Sequence, residues 1–200
     1  MSTETRRTLP ELILASTSPY RRELLGRLGV PFRSVAPPFD EESLKATGLS
    51  PRALAEELAA RKAESVRAVE PDAVIVGCDQ LVSLDGRVFG KPGDAEKAAD
   101  QLAAMSGRVH ELITAMAVLS PGRRFAHTDV TRLTMRRLDR QAIERYVARD
   151  RPIDCAGSYM LERGGIALFD RIESADHSAI TGLPLMALAR FLAELGYAIP

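Results

Sequence analysis

The run Ala73-Val74-Ile75-Val76-Gly77-Cys78-Asp79-Gln80-Leu81-Val82 constrains this chain more than any other part of it. Its apolar, β-branched character, bounded by Pro71 and by the Asp85-Gly86 pair, predicts a largely buried strand over 71–84. One residue breaks the pattern. By strand alternation Asp79 shares a face with Ile75, Gly77 and Leu81. A buried carboxylate is costly unless it meets a cation, a metal or several donors. Asp79 therefore either sits at a sheet edge beside a structural arginine or belongs to a site. Carboxylates held among apolar neighbours are typical of metal and general-base sites, which favours the second reading.

The flanking sequence supplies partners for that strand. Leu12–Ala15 reads as a short buried strand, and Ser16-Thr17-Ser18-Pro19 opens a helix to about Leu28. Ser18 is placed as its N-cap, Pro19 in its first turn and Gly29 as its stop. Val30–Val35 reads as a strand, followed by a Pro-Pro loop and the acidic cluster Asp40-Glu41-Glu42. Ser50-Pro51 starts a long amphipathic helix to about Val69, and Asp85-Gly86 turns the chain into a strand over 87–89. Asp94 caps a helix ending near Ser106-Gly107, and strands over 108–119 and 124–133 flank Pro121-Gly122. Asp139 caps a helix to about Arg149, a strand is expected at Ile166–Phe169, and Thr181-Gly182-Leu183-Pro184 opens a last helix stopping at Gly196. Elements mixed in this order predict an α/β fold with a partly antiparallel sheet, in one domain over 1–200.

Composition narrows the functions open to such a fold. Lys+Arg and Asp+Glu are both 27, a formal net charge of zero, which argues against gripping nucleic acid through a basic face. The two cysteines, Cys78 and Cys155, form no CxxC pair, and the three histidines show no HxH or HExxH spacing. Disulfide scaffolds and zinc ribbons are thereby excluded, and the histidine spacing argues against a histidine metal site. No apolar run is long enough to span a membrane, and the polar start MSTETRRTLPE has no secretory h-region. The expectation is a reduced, soluble, cytoplasmic protein.

Three further constellations bear on chemistry. In Ser16-Thr17-Ser18-Pro19-Tyr20-Arg21-Arg22 a strand feeds a helix whose amino end offers N–H groups, hydroxyls and two guanidinium groups. Cations in a helix's first turn oppose the macrodipole, so a bound anion such as phosphate would complete the arrangement. Pairing of Arg21 or Arg22 with Glu41 or Glu42 at a solvated helix start is the even-odds alternative. Gly86-Arg87-Val88-Phe89-Gly90-Lys91 falls one residue short of a P-loop, and Pro92 stands where Ser or Thr belongs, so that reading is rejected. Lysine is scarce, with only Lys45, Lys62, Lys91 and Lys97 among the 27 basic residues. Lys91 is fixed between Gly and Pro, and Lys62 sits mid-helix beside apolar neighbours; an ammonium suits a phosphate oxygen. Taken alone, each lysine is better read as solvated. Cys155-Ala156-Gly157-Ser158-Tyr159 offers small residues for close approach to a ligand, with Glu162 beyond it; no histidine is placed to activate Cys155, which reads as a packed residue.

Together these pieces resemble a known family. Leu14-Ala15-Ser16-Thr17-Ser18-Pro19-Tyr20-Arg21-Arg22-Glu23-Leu24-Leu25 is similar to the opening signature of the Maf family of nucleoside triphosphate pyrophosphatases. In that family's order follow Asp40-Glu41, Lys62-Ala63, Gly77-Cys78-Asp79-Gln80, Gly90-Lys91-Pro92, Ser106-Gly107, Cys155-Ala156-Gly157-Ser158-Tyr159 and Gly182-Leu183-Pro184. The likeness covers about 11–196. It implies an elongated, mixed-sheet α/β fold of the Maf/ITPase-like kind, with two lobes flanking an active-site cleft. It also implies a divalent cation, magnesium or manganese, a cytoplasmic location and, commonly, a homodimer. Cys78 and Tyr159 are mild departures, since Ser and Phe are more usual there.

Within the family the sequence resembles the 7-methyl-GTP branch more than the dTTP/UTP branch, which usually has Arg at Tyr20, Thr at Gln80 and Gln at Glu162. A 7-methylguanine base is cationic, and Tyr20 offers an aromatic face that attracts it where Arg would repel it. A carboxylate such as Glu162 accepts from the guanine N1–H and amino group, while Gln80 either contacts the base or holds Asp79. The implied reaction gives a nucleoside monophosphate and pyrophosphate, a housecleaning activity against modified nucleotides. Ser16, Arg21, Arg22, Lys62 and Lys91 would bind phosphate, Glu41 and Asp79 would hold the cation, and Asp79 would also serve the attacking water. A non-catalytic nucleotide-binding regulator of septum formation is the competing expectation.

Overall fold

The computed structural model describes residues 9–45 and 47–199; the polar lead-in over 1–8 lies outside them. β1 (Leu12–Ala15) runs parallel to both β2 (Phe32–Val35) and β3 (Val74–Leu84). β3 turns through Asp85 (φ 49°) and Gly86 (φ 82°) into β4 (Arg87–Phe89). Two successive positive φ values match the right-handed strand twist of a tight hairpin. β5 (Val109–Ser120), β6 (Arg123–Met135) and β7 (Phe169–Glu173) follow antiparallel, giving a seven-stranded mixed sheet in the order β2-β1-β3-β5-β6-β7 with β4 beside β3.

Helices cover this sheet according to strand alternation. On one face Ile13, Ala15 and Ile75 meet Ala63 and Val66 of α3 (Pro51–Arg67). On the other, Leu12, Leu14, Val74, Val76 and Cys78 pack against α1 (Pro19–Gly26) and α7 (Leu185–Glu194). Farther along, Val82 and Leu84 enter a separate core with α4 (Ala95–Met105) and α5 (Arg140–Asp150). One strand thus serves separate cores toward its two ends, and Asp79 and Gln80 fall between them. This is the physical content of the two-lobe expectation.

A glycine sets how closely α3 approaches. A Cβ on Gly77 would lie 2.3 Å from the Ala59 carbonyl oxygen and 2.7 Å from the Ala63 nitrogen. Real Cβ atoms do not approach backbone that closely, so only glycine lets α3 rest on β3 here. Leu54, Leu58 and Leu81 pack in the same interface.

The expected caps form. Ser18, Ser50, Asp94 and Asp139 each accept a hydrogen bond from the backbone N–H three residues on. Three local readings change. The first helix ends at Gly26, because Arg27 and Leu28 turn back onto Leu24 and Leu25. The strand expected at Ile166–Phe169 is mostly a 3-10 turn over Gly164–Leu168, and β7 begins only at Phe169. Gly165 N–H on the Met160 carbonyl (3.0 Å) and Gly164 N–H on Asp150 (2.9 Å) curl that segment before it can extend. Two short helices were not anticipated, α2 (Glu42–Lys45) and α6 (His177–Thr181), the latter capped by Asp176. Among the described residues no helix is long and apolar enough to cross a membrane.

Candidate active site

A cleft of about 1230 Å³ opens beside the middle of β3, lined among others by Ser16, Arg21, Lys62, Asp79, Lys91 and Glu162. Tyr20, Gln80 and Glu41 also line it. Elements distant in sequence thus converge: the start of α1, the segment before α2, the middle of α3, β3, and the loops before α4 and after α5. Arg22 does not join them. One residue beyond Arg21, about 100° around the helix, it faces solvent.

Lys62 is the centre of the arrangement. The lysine favoured as solvated when its sequence was read alone is instead buried, with 7% of its side chain exposed. Its Nζ donates to Asp79 Oδ1 at 2.5 Å and lies 2.9 Å from Glu41 Oε1. The α3 approach permitted by Gly77 brings it there, since Ala63, its neighbour, is the residue in contact with Gly77. Asp79, with 11% of its side chain exposed, therefore has its counter-charge, and the cost that singled it out is offset. Glu41, offered in sequence as a partner for Arg21 or Arg22, meets Lys62.

At the start of α1 the hydroxyls and Arg21 form a small network. Ser18 N–H donates to Ser16 Oγ (3.1 Å), and Arg21 Nη1 donates to the same oxygen (3.5 Å). Arg21 Nε donates to the Gly182 carbonyl at 3.0 Å, which the Cys78 thiol also approaches at 3.1 Å. Gly182 thereby steadies the guanidinium, a role that neither its place at a helix start nor the family motif Gly182-Leu183-Pro184 revealed. Its φ of 121° is open to glycine and strained for other residues.

Gln80 leaves β3 on the face opposite Asp79. Its amide NH₂ donates to Thr114 Oγ1 (2.9 Å) and to the Ala179 (2.9 Å) and Ile180 (3.1 Å) carbonyls. These bonds brace α6 against β5 instead of holding Asp79. Thr114, whose hydroxyl also donates to Ala179, is a supporting residue the sequence gave no reason to select.

Tyr20, Cys155 and Glu162 line the cleft together. Tyr20 donates to the Met160 sulfur at 3.6 Å. Burial pushes its phenol up, and the Cys155, Glu162 and Asp154 charges push the same way while Arg163 opposes. Burial, then Glu162 and Asp154, raise the Cys155 thiol to about 11, with Lys91 and Arg163 opposing. Cys155 is thus a neutral thiol near pH 7 and not an activated nucleophile.

The donor set also bears on a metal. Glu41 and Asp79 each place one carboxylate oxygen on the Lys62 ammonium, and each has a second oxygen of the hard type a divalent cation takes. Among the described residues no group of three or more His, Cys, Asp or Glu gathers, so a cation held here would take one or two carboxylates and draw the rest of its shell from water and phosphate oxygens.

Comparison with known proteins gives the chain's relatives. The family model described as Maf-like protein matches residues 11–195. A 7-methyl-GTP pyrophosphatase from Bdellovibrio bacteriovorus is 52% identical over 91% of this chain and 95% of that protein. One from Xanthomonas axonopodis pv. citri is 48% identical over 96% of this chain and 100% of that protein. A solved nucleoside-triphosphatase from Mycobacterium abscessus superposes with a TM-score of 0.47 at 18% identity, covering 94% of this chain and 100% of that one, too loosely to carry an argument. The length and level of these sequence matches fix the relationship: this chain belongs to the Maf family.

Proposed function

We propose that this chain is a nucleoside triphosphate pyrophosphatase that hydrolyses 7-methyl-GTP to 7-methyl-GMP and pyrophosphate. The observation that carries the reading is the buried Lys62 held between Asp79 and Glu41 in a cleft also lined by Arg21 and Lys91. A triphosphate brings several negative charges, and more charge moves onto the leaving pyrophosphate in the transition state. Arg21, Lys62 and Lys91 are the cations to meet it, with Ser16 and the amino end of α1 as hydrogen-bonding groups. Arg22, turned to solvent, drops out of this set.

Asp79 serves the attacking water. The water oxygen bonds to the α-phosphorus as the bond to the α–β bridging oxygen breaks, pyrophosphate leaves with that electron pair, and the water proton passes to the Asp79 carboxylate. Lys62 holds that carboxylate in place. A divalent cation at Glu41 and Asp79 would supply Lewis-acid neutralisation of phosphate oxygens.

Base selection rests on other lining residues. The 7-methylguanine ring is positively charged, and it stacks on Tyr20, with Glu162 also lining the cleft. Glu162 accepts from the N1–H and amino group. The relatives' names point to the same substrate.

Asp79→Asn tests the assignment. It should remove most pyrophosphate release, by about 100-fold or more, with the fold intact. Wild-type turnover in that variant would overturn it. Tight nucleotide binding by the wild-type protein with no release would put a regulator first.

A further inference from the structure

Two loops deliver the groups assigned to opposite ends of the substrate. The loop before α4 carries Lys91 for the phosphates, and the segment after α5 carries Glu162 for the base. Base and phosphates are joined through one ribose, which bounds the span between them, so the relative placement of these loops matters to a substrate held by both. Gln101, half-buried on α4 and outside the cleft lining, touches both. Its Nε2 donates to the Gly90 carbonyl (3.2 Å), one residue before Lys91. Its Oε1 accepts from Ser158 Oγ (2.8 Å).

The Ser158 end is tightly determined. Ser158 is fully buried and holds a φ of 63°, uncommon for a residue with a side chain, next to Gly157 at 72°. A Cβ on Gly157 would lie 2.6 Å from Val82 Cγ2, so the segment is pressed onto β3. A non-glycine residue stays in that region only when its surroundings hold it there. The Gln101 amide is one of those restraints. A second tie joins the same two loops, Gly93 N–H to the Ile153 carbonyl at 3.0 Å.

We propose that Gln101 is a positioning residue that sets Lys91 relative to Glu162 and so couples triphosphate binding to base selection. This rests on the roles given above to Lys91 and Glu162. The two arms of the amide are chemically separable. Gln101→Glu keeps the acceptor for Ser158 but replaces the donor at Gly90 with an oxygen that repels its carbonyl, releasing only the Lys91 arm. Ser158→Gly keeps the positive φ and releases only the base arm.

The experiment is steady-state pyrophosphate release, on whichever triphosphates the wild-type protein cleaves, for both variants and for each in combination with Lys91→Ala and Glu162→Gln. Gln101→Glu should raise KM about five- to tenfold for every base with little change in kcat, the size expected for one lost hydrogen bond. That loss should disappear in the Lys91→Ala background. Ser158→Gly should instead shrink the kcat/KM ratio between preferred and rejected bases, and should do so only while Glu162 is present. Melting temperatures that fall while KM and base ratios stay at wild-type values would overturn the proposal, leaving Gln101 a packing residue. A Gln101→Glu loss that persists in full without Lys91 would also overturn it. A wild-type preference for a base other than 7-methylguanine would defeat the substrate reading alone, because the coupling is measured on any cleaved triphosphate.

Discussion

Gly77→Ala tests whether close helix–strand packing builds the active site. The added Cβ would sit 2.3 Å from the Ala59 carbonyl oxygen, 2.7 Å from the Ala63 nitrogen and 2.9 Å from the Ala63 Cβ. Two of these are backbone atoms of α3 and cannot swing aside. Ordinary contact is reached only if the helix backs away by about 1 Å. Overpacking of this kind costs about 1–3 kcal/mol, which for a chain of this size lowers Tm by roughly 3–10 °C. The functional effect is larger, because Lys62 adjoins the contact and its 2.5 Å bond to Asp79 lengthens with the helix. A displacement of about 1 Å at a catalytic group is worth up to about 100-fold in rate. The assay is kcat and KM for pyrophosphate release beside a thermal melt of the same preparation. A variant that melts lower yet keeps wild-type kcat/KM would refute the claim that this packing places Lys62. An unchanged melt would refute the close contact itself.

Other consequences can be measured separately. Lys62→Met leaves Asp79 and Glu41 without their shared ammonium, so it should abolish turnover and destabilise by about 3 kcal/mol, read by denaturant unfolding; wild-type stability would mean the pair contributes nothing. Tyr20→Arg with Glu162→Gln should lower the kcat/KM preference for 7-methyl-GTP over GTP by about tenfold or more, and an unchanged ratio would remove both from the base pocket. Burial lowers His110 to about 4, so it is neutral in the folded state near pH 7. The unfolded chain takes up a proton first as pH falls, so stability is full above about pH 6.5 and is lost toward pH 4, by up to roughly 3 kcal/mol. Unfolding of the wild type against His110→Phe across that window checks it; a pH-independent difference would refute the shift.

Much of this was legible in the sequence because the signals were local. Ser18, Ser50, Asp94 and Asp139 each start a helix by a bond to a residue three positions away, and Asp85-Gly86 turns a hairpin within two residues. Asp79 stood out because a carboxylate in an apolar strand demands a partner. The partner's identity was not legible: Lys62 lies on a different element, and only the contact at Gly77 decides that it faces inward. The same limit explains Arg22, chemically equal to Arg21 in sequence but turned outward by helix geometry. Gly182, Thr114 and Gln101 act through carbonyls and hydroxyls brought together by tertiary folding, and no spacing announces such contacts. The misread strand at 166–169 failed for a related reason, since Gly164 and Gly165 are curled by bonds to Asp150 and Met160.

The most direct test of the account is pyrophosphate release from 7-methyl-GTP, GTP, dTTP, UTP and CTP, each with magnesium and then with excess chelator. The account predicts metal-dependent release with the highest kcat/KM for 7-methyl-GTP, and 7-methyl-GMP with pyrophosphate as the products. Preference for dTTP or UTP would contradict the base pocket built on Tyr20 and Glu162. Release of orthophosphate with 7-methyl-GDP would contradict attack at the α-phosphorus, and with it the role given to Asp79.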